Sequence, residues 1–252
     1  MANKRFRFGT GNLYGIQLTD ASGNAVANPT PAKFGTLQDV SVDFGFTNKE
    51  LRGQNQFPED VARGDGKITG KAKFGQFDVV LLNSLFFGQT ITTGQTLVAD
   101  GETAAVPATP FQITVANAIT FVDDLGVVNA ATGVRLTRVT SAPATGQYSV
   151  SAVGVYTFAA ADTGVSVLLS YSYTVTTGTT LTVTNQLMGY APKFKMECFN
   201  PYGGGNQMMV LYSCISSKLS MPFKNTDYSV PEFDFEGFSD PVTGKVFSLS
   251  QA

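Results

Sequence analysis

The amino-acid sequence predicts a mainly β protein, in which a host domain with one flanking helix carries an inserted β-sandwich. Three observations lead to this fold class. Apolar and polar residues alternate with a period of two along most of the chain, which is typical of half-buried strands. Only residues 76–87 have the composition of a buried helix. Residues 91–190 contain just five acidic and two basic residues, whereas both flanking segments are much richer in charge.

The strongest alternation occurs in two neighbouring segments, which predict strands at residues 39–46 and 67–74. In the first segment Val40, Val42, Phe44 and Phe46 alternate with polar residues or glycine. An antiparallel pairing that places Asp39 opposite Lys73 also places Asp43 opposite Thr69, diagonal to Lys67 and Lys71. Cross-strand neighbours of opposite charge stabilise a sheet, so this register is favoured.

Residues 47–66, between these two strands, are interpreted as a long polar loop. The segment contains Gly53, Pro58, Gly64 and Gly66, which are typical of irregular structure. A loop of this length is uncommon in a compact domain and is usually functional. The segment also contains apolar residues among its charged ones, so we expect part of it to be covered by another molecule.

The helix predicted at residues 76–87 ends before Gly88, a residue type that commonly terminates helices. Its sequence is apolar on most sides, which predicts burial against a sheet or another subunit.

The low charge of the middle of the chain predicts an inserted module with boundaries near Thr90 and Thr177. The domains are accordingly residues 1–89 with 178–252 as host and residues 90–177 as insertion. Within the module, strands are predicted at 111–115, 118–122, 134–139, 147–151, 154–158 and 165–175. Turns are predicted at 123–126, 131–133, 144–146 and 161–164, a spacing typical of a small β-sandwich.

Enzymatic chemistry finds little support in the sequence. The chain contains no His and no Trp, which excludes a Ser-His-Asp triad and a His-ligated metal. Asp123, Asp124 and Asp162 lack the spacing of a calcium loop and are interpreted as turn residues. Cys198 and Cys214 flank a glycine-rich hairpin that places Cys198 opposite Val210, so both are predicted to be free thiols.

Three further carboxylates lie near the C-terminus, where Glu232, Asp234 and Glu236 alternate with two phenylalanines. The period of two puts all three on one face of one strand. Like charges in a row destabilise a strand unless water or partners relieve them, so we predict an open, hydrated face. No run of 18 apolar residues is present, and no membrane-spanning helix is expected.

The host segments resemble the major tail tube proteins of long-tailed bacteriophages (siphophages). The resemblance lies in residues 34–44, 49–53, 57–58, 62–63, 66–74, 228–236 and 246–251. It covers the host domain over roughly 150 residues. The middle module resembles the immunoglobulin-like insertions that some tail proteins display on their outer surface.

The resemblance implies a structural virion protein with a tail-tube-type β-sandwich or barrel. Hexameric rings of such a protein stack into a tube, which houses the tape measure protein and conducts DNA during ejection. The implied partners are further copies of the chain, the tape measure protein, and the tail terminator and tip proteins. DNA passes without specific binding, no cofactor or metal is implied, and the protein is made in the bacterial cytoplasm.

Two sets of site residues follow from this interpretation. A conduit for DNA needs walls that do not retain it, so carboxylates are the candidates for the channel lining: Asp39, Asp43, Glu232, Asp234 and Glu236. The long loop is the candidate contact between stacked rings, through the following residues: Leu51, Arg52, Phe57, Val61 and Arg63.

Other functions are also compatible with the sequence. A capsid or head-surface protein with an exposed sandwich and a ring-forming secretion tube of the same fold are structural alternatives. A carbohydrate-binding adhesin would use the middle sandwich as its lectin. The chain has no Trp for sugar stacking, but the module contains four tyrosines: Tyr148, Tyr156, Tyr171 and Tyr173.

Overall fold

The computed structural model describes residues 7–251. Strands account for 54% of the chain and helices for 6%, which confirms the mainly β class and the single flanking helix predicted from the sequence. The chain divides into two compact units. Residues 7–91 and 181–251 form the host unit, and Thr92–Thr180 forms the inserted unit. The sequence prediction had placed the insertion at residues 90–177.

Fifteen strands, numbered in chain order, lie within the described residues. The host unit contains β1 (Asn12–Thr19), β2 (Ala32–Lys33), β3 (Leu37–Leu51), β4 (Asp60–Phe74), β12 (Lys193–Tyr202), β13 (Gly205–Ser220), β14 (Glu232–Phe238) and β15 (Phe247–Gln251). Seven of them form the order β2-β1-β12-β13-β14-β4-β3, and β15 pairs with β13. All these pairs are antiparallel, and the sheet does not close into a barrel within the described residues.

The single helix packs on one face of this sheet. Helix α1 (Val79–Leu82) continues as a π-helical turn over Asn83–Phe87, inside the segment predicted from the sequence. Asp78 caps its start by accepting hydrogen bonds from two backbone amides, and Gly88 ends it with a φ of 61°. Leu81, Leu82 and Leu85 are buried against the sheet.

The host core lies between the helix and the sheet. Alternate residues of β4, β12 and β14 point into it, and its largest fully buried side chains include these four: Phe74, Phe194, Phe233 and Phe235. Gly70 lies where a side chain would collide with the Phe235 ring, since an added Cβ would be 2.1 Å from that ring. The opposite face of the same strands is left without a helix.

The inserted unit contains two small sheets. Its strands are β5 (Ile91–Ala105), β6 (Gln112–Thr114), β7 (Phe121–Asn129), β8 (Thr137–Arg138), β9 (Gln147–Val150), β10 (Val155–Phe158) and β11 (Ser166–Leu181). They form the orders β6-β10-β9-β8 and β5-β11-β7. All pairs with a defined register are antiparallel except β8 with β9, which is parallel.

Two sequence predictions for the inserted unit are wrong. Residues 118–120 form a 3-10 helix instead of a strand, and β7 begins only at Phe121. The turn predicted at residues 123–126 lies inside β7. The Asp124 carboxylate accepts hydrogen bonds from the Tyr148 and Tyr156 hydroxyls as well as from the Gly126 amide. The pairing of β7 with β11 shifts register there, so that Leu125 has no partner between Asp124 and Gly126.

Candidate assembly surface

The segment predicted as a 20-residue loop is mostly strand, so this prediction is wrong. β3 and β4 each have 15 residues and pair from Leu37 opposite Phe74 out to Leu51 opposite Asp60. Only residues 52–59 connect them. The predicted register itself is confirmed: Asp39 lies opposite Lys73, and Asp43 opposite Thr69.

The outer part of this hairpin, residues 45–66, is here called the arm. All of its residues are exposed except Pro58 and Gly64, which are partly buried. Neither face of the arm therefore packs on a second layer of the described chain. An isolated two-stranded hairpin is only marginally stable in water, so an arm of this length is expected to be held by a partner.

The arm exposes large apolar side chains on both faces and at its tip. Phe57, in the connection, is 80% exposed, and Leu51, at the end of β3, is 63% exposed. Val61, in β4, pairs with Glu50, the neighbour of Leu51, so Val61 and Leu51 point to opposite faces. Because both faces of the arm carry apolar groups, the arm is better suited to insertion between two partner surfaces than to contact through one face only.

The two arginines predicted for this region have different surroundings. Arg63, on β4, lies over the Phe46 ring at 4.1 Å, a cation–π arrangement that shields part of the ring. Arg52, in the connection, makes an exposed ion pair with Glu50 at 2.5 Å. The five predicted contact residues therefore belong to one protruding hairpin, but to three of its parts.

The five predicted lining carboxylates lie on one face of the sheet. β14 lies between β13 and β4, and its register places Glu232 opposite Lys73 and Asp234 opposite Lys71. Asp39 lies opposite the same Lys73 from the other side. Because Phe233 and Phe235 point into the core, the alternating carboxylates of β14 must point to the helix-free face.

Ion pairs link these carboxylates to the lysines of β4. The Lys71 ammonium lies 2.6 Å from Glu232 and 3.7 Å from Asp234. Lys73 lies 3.4 Å from Glu232, and Lys67 lies 3.0 Å from Glu236. In the sequence, the carboxylates of β14 and the lysines of β4 are far apart. The position of β14 beside β4 brings them together.

In the closest ion pair of this network, between Lys71 and Glu232, the pKa values of both groups are shifted. The hydrogen bond with Glu232 raises the pKa of Lys71, and the same bond lowers the pKa of Glu232. The pair therefore favours the folded state throughout the neutral range. Its contribution declines in acid, as Glu232 takes up a proton, and in alkali, as Lys71 loses one. Exposed pairs of this kind are weakened by salt.

The helix-free face, also called the charged face below, carries both acidic and basic residues and is not uniformly acidic. Five carboxylates and three lysines alternate across β3, β4 and β14, and Lys218 of β13 lies opposite Asp234. A shallow cleft of about 290 Å³ lies on this face and is lined by Asp43, Lys71 and Asp234 among others. The surface can bind water and mobile ions without presenting a block of charge to a polyanion.

The inserted unit buries three of the four tyrosines that a lectin could use, and Tyr173 is partly buried. Tyr148, Tyr156 and Tyr171 are at most 3% exposed, so their rings cannot stack on a sugar. The Tyr148 and Tyr156 hydroxyls donate to the Asp124 carboxylate at 2.7 and 2.9 Å. Tyr171 donates to Glu102 at 2.5 Å. These contacts organise the interior of the unit.

The remaining sequence candidates have structural roles. Both cysteines are free, as predicted, but Cys198 lies opposite Met209 and not Val210, because the hairpin turns at Gly203 and Gly204. Burial raises the pKa of Cys214 to about 12.

No group of His, Cys, Asp or Glu side chains within residues 7–251 has the geometry to hold a metal ion. The helices of this same part of the chain are too short or too polar to cross a bilayer. No protein-family model and no curated protein matches the chain. The arm and the charged face are therefore the features of the chain that bear on its function.

Proposed function

We propose that the chain is the tail tube subunit of a long-tailed bacteriophage. In this proposal the host unit is a tail-tube-type β-sandwich, and hexameric rings of it stack into the tube. The tube houses the tape measure protein and ends at the terminator and tip proteins. The inserted unit is an immunoglobulin-like sandwich on the outer surface, away from the wall.

The arm is the observation that carries this proposal. A solitary protein gains nothing from a two-stranded hairpin that exposes Leu51, Phe57 and Val61 to water. A protein that repeats itself along a tube buries such a hairpin in the next copy. The arm thus supports assembly as the function of the chain, in agreement with the resemblance of its sequence.

The helix-free face supports a conduit for DNA. A wall of unpaired lysines would retain DNA by releasing its counterions, and the lysines of β4 are instead paired with carboxylates of β14. We propose that this face lines the channel, with Asp39, Asp43, Glu232, Asp234 and Glu236 among the lining residues. DNA would pass such a wall without specific binding.

Electron microscopy of the purified full-length chain tests the proposal. We expect rings or tubes with sixfold symmetry and a hollow centre, and longer tubes at higher protein concentration. Uniform monomers at all concentrations and salt conditions would refute a tube-forming function. Closed shells would indicate the alternative of a capsid or head-surface protein.

A further inference from the structure

A cleft of about 320 Å³ lies in the host unit, between the edge strand β3 and strands β12 and β13. Gly9 and Asp39, which line it, are exposed, so the cleft opens to solvent. A smaller void continues the cleft towards the core and reaches two buried residues, Leu13 and Phe235. The two spaces share four lining residues: Val40, Val42, Cys198 and Met209. The cleft is therefore a path from solvent to the interior of the sheet.

One wall of this cleft belongs to the segment that precedes β1, residues 7–11, here called the strap. Gly9 and Thr10 of the strap line the cleft. Gly9 and Gly11 have φ values of 82° and 72°, a left-handed conformation that glycine adopts at little cost. At Gly11 an added Cβ would be 2.3 Å from the Phe199 carbonyl oxygen, so the strap lies directly against the backbone of β12.

The strap is held by polar contacts and buries little apolar surface. Its one large apolar side chain, Phe8, is 76% exposed, and the centre of its ring lies 5.9 Å from that of Tyr202. Hydrogen bonds hold the rest of the strap: the Arg7 guanidinium donates to the Gly205 and Asn206 carbonyls at 3.4 and 3.3 Å, the Thr10 hydroxyl to the Leu37 carbonyl at 3.2 Å, and the Asn200 amide to the Gly9 carbonyl at 2.6 Å. Segments with few buried apolar contacts open at a low cost in free energy.

We infer that the strap is a gate, which closes the cleft in this structure and opens while the sheet stays folded. β1 pairs with β12 from Asn12 onwards, and this pairing does not involve the strap. Opening breaks only the contacts of the strap itself and frees the way to Cys198 on the cleft wall. The gate acts within one host unit, so the inference does not depend on the proposed tube function.

The two free thiols report on different events. Cys198 is partly buried and lines the cleft, whereas Cys214 is fully buried in the host core. Burial raises the pKa of Cys198, so its reactive thiolate is scarce while the strap is closed. Reaction at Cys198 therefore measures opening of the strap, and reaction at Cys214 measures opening of the core.

Alkylation of the native full-length chain by iodoacetamide tests the gate, with the modified peptides quantified by mass spectrometry. We expect Cys198 to react about tenfold faster than Cys214 or more, and far more slowly than a thiol in an unfolded peptide. Urea below the unfolding transition should speed the reaction at Cys214 but hardly at Cys198, since opening of the strap exposes little surface. Equal urea dependence at the two cysteines, or reaction of Cys198 as fast as in an unfolded peptide, would overturn the inference.

Two variants loosen the strap without widening the cleft. Arg7→Ala removes a guanidinium that does not line the cleft, and it should raise the alkylation rate of Cys198 about fivefold. Gly9→Ala adds a methyl group that has no neighbour within 4 Å but strains the closed strap, and it should raise this rate about tenfold.

Matched controls separate the strap from general destabilisation. Arg135→Ala removes an exposed arginine of the inserted unit, and Gly23→Ala imposes the same left-handed strain, at a φ of 87° and in open space, beyond the other end of β1. Both controls should leave the Cys198 rate unchanged. An unchanged rate in Arg7→Ala and Gly9→Ala, or an equal rise in the controls, would overturn the inference. The urea comparison uses the wild type, so it decides the matter even where a variant fails to fold.

Discussion

Asp124 is a buried carboxylate that several side chains of the inserted unit contact. Its side chain is only 3% exposed and lies 3.6 Å from the Arg138 guanidinium. It also accepts hydrogen bonds from the Tyr148 and Tyr156 hydroxyls. A buried carboxylate is tolerated only when its oxygens are satisfied, so these donors and the arginine are needed together.

Removing one tyrosine hydroxyl tests this arrangement. Tyr156→Phe should lower the free energy of unfolding of the inserted unit by about 1.5–3 kcal/mol, the range for hydrogen bonds to a charged group. Urea unfolding of the intact chain, followed by tyrosine fluorescence, measures the change. Tyr173→Phe is the control, since the Tyr173 ring packs on Tyr171 away from Asp124, and it should change the stability by less than about 0.5 kcal/mol. Equal losses in the two variants would contradict the role given to Asp124.

The same tyrosines determine the alkaline behaviour of the unit. Burial and the hydrogen bonds to Asp124 raise the pKa of Tyr148 and of Tyr156 far above the ordinary value of 10.0. The folded state therefore favours the neutral phenols, and this stabilisation is complete below pH 10 and declines above it. Absorbance at 295 nm should show these two tyrosines ionising only as the unit unfolds. Their reversible ionisation in the folded protein would contradict the burial described here.

At the scale of elements, the arm was the part that the sequence pattern described least well. The register of β3 and β4 was predictable, because Val40, Val42 and Ile68 alternate with polar and charged residues along the buried part. Beyond Gly45 both faces of the hairpin are exposed, so no alternation marks the strands. For the same reason most of β5, a strand of small and polar residues, could not be predicted from the sequence. The pairing of β14 with β4 could not be predicted from the sequence either, because it depends on the order in the sheet of strands that are far apart in the chain.

Shortening the arm tests its role without disturbing the sheet. Asn48 pairs with Arg63, so residues 49–62 can be replaced by an Asn-Gly turn that joins these two positions. We expect a folded protein with an unchanged circular dichroism spectrum that no longer forms tubes. The arm adds few buried contacts to the host core, so the unfolding midpoint should change little. Normal tubes from this variant would show that the arm has no role in assembly.

At the scale of the whole molecule, the attachment of the inserted unit allows it to be removed cleanly. β5 and β11 enter and leave the unit side by side: the Thr92 hydroxyl donates to the Thr180 carbonyl, and the Thr180 hydroxyl to the Gly94 carbonyl. A Gly-Gly link can therefore replace Thr92–Thr180. Because the host unit has its own core, we expect the shortened chain to fold and to form tubes with a smaller outer and an unchanged inner diameter. Soluble monomers would place the inserted unit in the tube wall.

The charged face offers the sharpest test of the proposed conduit. Replacing Glu232, Asp234 and Glu236 together by Lys reverses the charge of one strand of the network and places three further lysines beside those of β4. If the face lines the channel, phages that carry this variant should assemble but eject DNA several times more slowly. Added salt should relieve the defect, because it screens the attraction between the wall and the DNA.

Two matched variants separate this effect from simple destabilisation of the sheet. The triple Gln variant removes the ion pairs without creating a basic block, so it should lower stability slightly and leave ejection nearly normal. In the second variant Lys67, Lys71 and Lys73 are also replaced by Glu, which restores every ion pair with reversed sign. Ejection should then return towards the wild-type rate, because the wall is again mixed in charge. Salt-independent, unimpaired ejection from intact particles with three added lysines would show that these residues face away from the DNA path.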